Sequence, residues 1–192
     1  GGGRRIANVA TGTQDTDAVN LAQLNAALSS VNEYVAVNST GPAAIAGGEG
    51  AIAIGSDAEA LSTNGIAIGD GASTVGNISI GANSSTSAMY TLAIGEQASA
   101  GSNVAIAIGA FARSDSDSNV AIGVNAKAFH QTQSGPGGMT AIGGGANAAE
   151  FYGTAIGYLA TASGRNSVAL GANSNATRDN SVEVGGRQIT GV

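Results

Sequence analysis

The chain repeats itself every 14 residues, and that period constrains its fold more than any other feature. A tetrapeptide of aliphatic, small, aliphatic and glycine residues appears as Ile52-Ala53-Ile54-Gly55, Ile66-Ala67-Ile68-Gly69 and Ile78-Ser79-Ile80-Gly81. It continues as Leu92-Ala93-Ile94-Gly95, Ile106-Ala107-Ile108-Gly109 and Val120-Ala121-Ile122-Gly123. Varied copies end on Gly143, Gly157, Gly171 and Gly185, so the glycine spacings are 14, 12, 14, 14, 14, 20, 14, 14 and 14. Self-similarity at a fixed period marks a stacked-repeat architecture. The unit is too short for a helix pair or a propeller blade. It suffices for two strands of about five residues and two tight turns. Stacking such coils in register gives a parallel solenoid, roughly 43 Å long at one inter-strand spacing per coil.

Within each unit the aliphatic residues sit two apart and share one face of a strand. Small residues three and five places after the glycine, such as Ala58 and Ala60 or Ala98 and Ala100, share a face of a second strand. This pattern predicts that the first strand sends its aliphatic residues inward and the second sends Ala or Ser inward. The small residue between the aliphatics would then point outward: Ala53, Ala67, Ser79, Ala93, Ala107, Ala121, Ala141, Ala155 and Ala169. It is never charged, as a water-facing position would be. Strands that read apolar on both faces are buried on both faces, so another surface must cover these residues closely. With only 18 large aliphatics in the repeat positions, a lone coil stack looks marginal. The expectation is a homo-oligomer that packs its alanine faces around a common axis. Glu183 departs from the pattern in the last copy, as expected at a solvated end or a change of packing.

Residues 15–36 follow another rule. Leu21, Leu24, Leu28, Val31 and Val35 recur at spacings of 3 and 4, an a/d heptad seam. Asp15, Thr16 and Asp17 precede it as N-cap and first-turn residues. The segment is either an amphipathic helix on a globular core or a short coiled coil, and the oligomer that the solenoid requires favours the coiled coil. The chain ends also match: residues 2–9 align with residues 185–192, suggesting one module of a longer fibre.

Composition narrows the chemistry. The net charge is −6 with only 7 Lys and Arg, a poor basis for binding nucleic acid or an anionic membrane. Absence of Cys excludes disulfides and thiol catalysis, and the single His removes most metal and triad chemistry. No catalytic, cofactor or metal site is expected. Asp115-Ser116-Asp117-Ser118-Asn119 lacks the later ligands of a calcium loop and reads as a polar turn. Arg4 and Arg5 are either a solvated pair or partners for Asp15 or Asp17 of a neighbouring chain. Large residues where the pattern expects polar ones, Phe111 and Leu159, together with Phe129 and His130 in the six-residue insertion, form the candidate ligand surface. An ice-binding solenoid would need a matched threonine ladder, which the mixed outward positions do not supply.

Asn166-Ser167-Val168-Ala169-Leu170-Gly171 and Asn119-Val120-Ala121-Ile122-Gly123 resemble the head repeats of trimeric autotransporter adhesins, the YadA-like family of Gram-negative bacteria. The stretch from Arg4 to Leu24, with its core Asp17-Ala18-Val19-Asn20-x-x-Gln23-Leu24, resembles the family's neck. The resemblance implies a left-handed parallel β-roll, three per homotrimer, and four regions. These are a neck over 1–20, a short trimeric coiled coil over 21–40, a head over 41–185 and the start of a second neck over 186–192. It implies no enzyme activity. It also implies attachment to host cells or extracellular matrix, with a structural spacer as the alternative. The segment would be displayed on the cell surface, anchored to the outer membrane by a barrel outside this chain. The insertion, about residues 129–138, is where this chain departs from a regular head.

Overall fold

A computed structural model describes residues 2–31, 40–130 and 137–190, the side chains of 29–31 excepted. The chain divides into two units, residues 1–38 and 39–192.

The larger unit is a parallel β-solenoid. Each coil contributes one strand to each of two ten-stranded parallel sheets. The first sheet holds the three-residue strands, from β2 (Ile52–Ile54) to β18 (Val168–Leu170), and closes with β20 (Val182–Glu183). The second holds two-residue strands, from β1 (Ile45–Ala46) to β19 (Asn175–Ala176). Register is maintained throughout: Ala107 lies between Ala93 and Ala121, and Ile108 between Ile94 and Ile122. The 12- and 20-residue spacings do not disturb it, because Ile66 still pairs with Ile78 and Val120 with Thr140. Strands are shorter than expected because four residues, 55–58, and then five, 61–65, are given to reversing the chain in a regular coil.

The structure inverts the inward face of the first sheet. Ala67, Ser79, Ala93, Ala107, Ala121, Ala141, Ala155 and Ala169 are fully buried within the single chain, and Ala53 is partly buried at the first coil. The flanking aliphatics point outward: Ile52, Leu170 and Val182 are exposed, and most of the row between is half-buried. The inference that something must approach these alanines closely holds. The covering surface is the chain's own second strand, whose Ala58 and Ala60, Ala98 and Ala100, or Ala126 and Ala128 are buried opposite. A chain that reverses twice in 14 residues leaves an interior thin enough for methyls and hydroxyls and too thin for two layers of isoleucine.

Polar groups in this thin core pair with one another. Thr74 and Thr86 share a hydroxyl–hydroxyl hydrogen bond of 2.6 Å across the shortened coil, and Ser79 and Ser84 share one of 2.7 Å. At the insertion, Asn119 is fully buried. Its Nδ2 donates to the Ala128 carbonyl at 2.7 Å, and its Oδ1 accepts from the Met139 N–H at 2.8 Å. Met139 is the largest fully buried side chain described, and Gly153 occupies the equivalent place in the next coil.

Both turns contain a left-handed residue. In the first turn these include Asp57, Asn83, Gln97, Phe111, Asn125, Leu159 and Asn173; in the second, Asn64, Tyr90, Val104, Ser118, Tyr152, Asn166 and Asn180. Asn and Asp tolerate this conformation, but a β-branched residue does not. Val104 sits at φ 57° and is half-exposed, so its side chain returns little. Val104→Asn is expected to raise stability by about 1 kcal/mol per chain. Chemical denaturation would read this as a higher midpoint at unchanged slope.

The C-terminal end is closed by charge. Glu183 takes the place of alanine in the inward row and accepts a hydrogen bond from the Gly185 N–H at 2.9 Å. Arg187 folds back to donate to the carbonyls of Val184 at 2.9 Å and Ala172 at 3.1 Å. A charge at the end of an inward row blocks further strand addition.

Among the described residues the smaller unit holds one helix, α1 (Leu21–Val31). The predicted helix extends to residue 40, but residues 32–39, Val35 among them, lie outside the described ones.

Candidate functional site

Three surfaces have the character of interaction sites. The first is the outer face of the three-residue-strand sheet. Its two rows, Ile66, Ile78, Leu92, Ile106, Val120 and Ile68, Ile80, Ile94, Ile108, Ile122, run coil after coil with no charged residue between them. The second row continues through Ile142, Ile156 and Leu170, each exposed, and the first through Thr140, Thr154, Val168 and Val182. Such a strip is far beyond the scattered apolar residues of a monomer surface. The alanines predicted for an interface are buried within the single chain, and their aliphatic neighbours face outward instead. Period-2 alternation identified the strand correctly, but the two faces were exchanged.

The second surface is the start of the helix. The helix does not begin at Asp15 to Asp17 as its composition suggests. Asn20 caps it: Asn20 Oδ1 accepts from the Gln23 N–H at 2.9 Å, and Gln23 Oε1 accepts from the Asn20 N–H at 3.3 Å. This is a reciprocal capping box. Gln23 also clasps the preceding strand of chain, donating from Nε2 to the Gly12 carbonyl at 3.0 Å and accepting from the Gly12 N–H at 2.9 Å. Asn20 Nδ2 donates to the Val9 carbonyl at 3.2 Å. Asn20 and Gln23 are thus the residues that tie the neck segment to the helix. The sequence carried their signal in the Asn-x-x-Gln spacing, which was read only as a family motif. Leu21, Leu24 and Leu28 are all exposed on one seam, and Val31 belongs to the same heptad.

Asp17 closes a separate turn. Its Oδ2 accepts from the N–H groups of Thr13 at 2.8 Å and Gln14 at 3.0 Å. These backbone hydrogen bonds, Thr13 first, favour the carboxylate and hold its pKa below the ordinary aspartate value, against a small opposing effect of burial. Because the folded-state pKa is lowered, the stabilisation is present at neutral pH. It is expected to fade as pH falls below about 4 and through the folded value. Amide exchange at Thr13 and Gln14 should quicken over that range, and in Asp17→Asn it should be fast already at pH 7. Arg4, Arg5 and Asp15 make no ion pair among the described residues of one chain.

The third surface gathers part of the predicted ligand residues and separates the rest. Phe111 is exposed in the first turn, and Phe129 lies under the Arg113 guanidinium, 4.4 Å from ring centroid to Cζ. Arg113 pairs with Asp115. Leu159 is three coils away, about 14 Å along the stack, and folds over Gly145. It occupies a left-handed turn position, as Phe111 does, instead of the outward strand position predicted for both. His130 lies with other residues: its ring stacks on Phe151 at 4.6 Å, and its Nε2 is 3.3 Å from Glu150 Oε1. The six-residue insertion runs mostly through 131–136, outside the described residues. Among the described residues no group of three or more His, Asp or Glu could hold a metal. No described helix is long and apolar enough to cross a membrane.

Comparisons with known proteins agree with this geometry. A family model for the coiled stalk of trimeric autotransporter adhesins matches residues 5–47. A model for the YadA head domain repeat matches residues 46–72, 78–98, 151–174 and 162–182. Among solved structures, the chain is similar to the collagen-binding domain of the Yersinia adhesin YadA. Sequence identity is 29% and the TM-score 0.52, over 78% of this chain and 72% of that one. No curated protein matches the chain. With the two models covering well over half of the sequence, and an exposed aliphatic strip and helical seam of the kind such fibres need, the chain belongs to the trimeric autotransporter adhesins, as a segment of head and stalk.

Proposed function

We propose that three copies of this chain pack the aliphatic faces of their solenoids around a common axis, and that the resulting head attaches a bacterium to host extracellular matrix. The observation that carries this reading is the uncharged outward strip of isoleucine, leucine and valine, broken only by Thr140 and Thr154 in one of its two rows. Burying one such side chain is worth about 2 kcal/mol, so a single chain with this face in water is far from its most stable state. The exposed seam of Leu21, Leu24 and Leu28 supports the same association, since a helix of 11 residues is too short to be stable unpartnered. Arg4 and Arg5 then stand near Asp15 of a neighbouring chain, while Asp17 serves its own turn. Collagen is the first matrix protein to test, because the solved neighbour is a collagen-binding domain. Display at the surface of a Gram-negative cell is the location the family supports.

Light scattering is expected to give a mass near three times 18.4 kDa, and the trimer to bind immobilised collagen while the denatured chain does not. A folded monomer would overturn the association. A trimer that binds none of collagen, fibronectin and laminin would overturn the attachment and leave a spacer.

A further inference from the structure

The outward row of the two-residue-strand sheet is nearly uniform. After Ile45 in the first coil it reads Glu59, Ser73, Ser85, Ser99, Arg113, Lys127, Asn147, Thr161 and Asn175. Small neutral residues fill it except at three places, and the two cations among them are direct register partners. Like charges facing each other across a ladder are unfavourable. Lys127, the chain's one lysine, is exposed and has no ion pair among the described residues.

The same two coils carry two further departures. Phe111 is 43% exposed at φ 59°, where the neighbouring coils place Gln97 and Asn125. A bulky residue is costly in that conformation, and an exposed one recovers little of the cost by packing. Val124 in the adjacent turn is 55% exposed. Arg113 is preorganised: its guanidinium lies on the Phe129 ring, Asp115 takes Nε, and the terminal nitrogens have no partner among the described residues.

We propose that Phe111, Arg113, Val124, Lys127 and Phe129 form a docking surface for an extended polypeptide segment in which carboxylates alternate with apolar side chains. Charge selects the ligand's sign at the strand pair itself, where Arg113 and Lys127 are register partners and Lys127 has no ion pair among the described residues, although Asp115 pairs with Arg113 and Glu96 lies in the turn beside Phe111. Extended geometry follows from the flat sheet face, on which alternate side chains of a strand point the same way. The exposed apolar surfaces of Phe111 and Val124 favour a polypeptide over a sulfated polysaccharide, which has no apolar side chains to offer. The proposal deepens the adhesive reading and rests on it. The patch's two cations lie on the two-residue-strand sheet, away from the aliphatic strip, and its apolar members Phe111 and Val124 lie in the turns between the sheets.

The test uses fluorescence anisotropy on the whole chain with three labelled probes: an eight-residue peptide of alternating Asp and Leu, its Asp and Gly counterpart, and a heparin octasaccharide. The Asp-Leu peptide is expected to bind, to weaken with added salt, and to outcompete both others. Lys127→Glu and Phe111→Asn should each weaken it at least tenfold while leaving the circular dichroism and mass unchanged. Neither should unfold the chain, since one side chain is unpaired and the other is strained. Equal binding by both variants, preference for heparin, or no binding of the Asp-Leu peptide would overturn the proposal. Collagen binding that survives both variants but is lost when the trimer is broken would retain the adhesive reading and overturn this patch as its site.

Discussion

Replacing Ile106 and Ile108 together by aspartate is expected to turn the trimer into a folded monomer of 18.4 kDa. Both side chains point away from the coil interior, while Ala107 between them is fully buried. The variant thus leaves the single-chain core untouched. It removes six isoleucines from one layer of the assembly, about 12 kcal/mol of apolar burial at roughly 2 kcal/mol each. It also places six carboxylates where no water or counter-charge would reach them, which costs several kcal/mol more. Light scattering reads the mass, and far-ultraviolet circular dichroism reads the retained sheet. Ala107→Asp is the informative contrast. The charge would enter the thin interior, and the chain should lose its sheet signal instead of merely dissociating. A trimer that survived the double substitution would show that the aliphatic face is not the interface.

Gly109→Ala is the single-methyl change expected to do most damage. Gly109 has φ 126°, a conformation that side chains rarely adopt, and a Cβ there would lie 2.5 Å from the carbonyl oxygen and 2.6 Å from the carbonyl carbon of Gly123 in the next coil. The obstacle is backbone, already committed to the inter-coil ladder by the hydrogen bond from the Gly123 N–H to the Ile108 carbonyl at 2.7 Å. Relief therefore requires separating two coils. The expected loss is about 3 kcal/mol or more per chain, tripled in a trimer because every protomer carries the change. Thermal unfolding would show a large downward shift in midpoint. Ser99→Ala, on the outward row two coils from the shortened one, should leave the midpoint within a degree or two.

The neck shows how local signals can be present and still be assigned wrongly. Three residues of one short stretch, Asp17, Asn20 and Gln23, all accept hydrogen bonds from backbone N–H groups. Composition pointed to Asp15 through Asp17 because acidic residues favour helix starts. Asn20 wins because it sits one residue before Leu21 with glutamine three places on, so both caps close at once. Asp17 is left to a turn of its own. For the ligand surface the reasoning was partial in another way. Oversized residues stand out in a regular pattern, but only the tertiary structure shows that Phe129 lies against Arg113 while Leu159 and His130 have other neighbours.

Period, strand direction and in-register stacking were all determined by the sequence alone, because a solenoid's geometry is its repeat length. The expectation of a partner was legible there too, since few large apolar residues are available to stabilise an isolated stack. Which face of the first strand looks inward was decided only by the tertiary structure. Alternation with a period of two is unchanged when the two faces are exchanged, so Ile106-Ala107-Ile108 reads equally well either way. What breaks the tie is thickness: the second strand returns so soon that only methyls and hydroxyls fit between the sheets, and the isoleucines are left outside for another chain to cover.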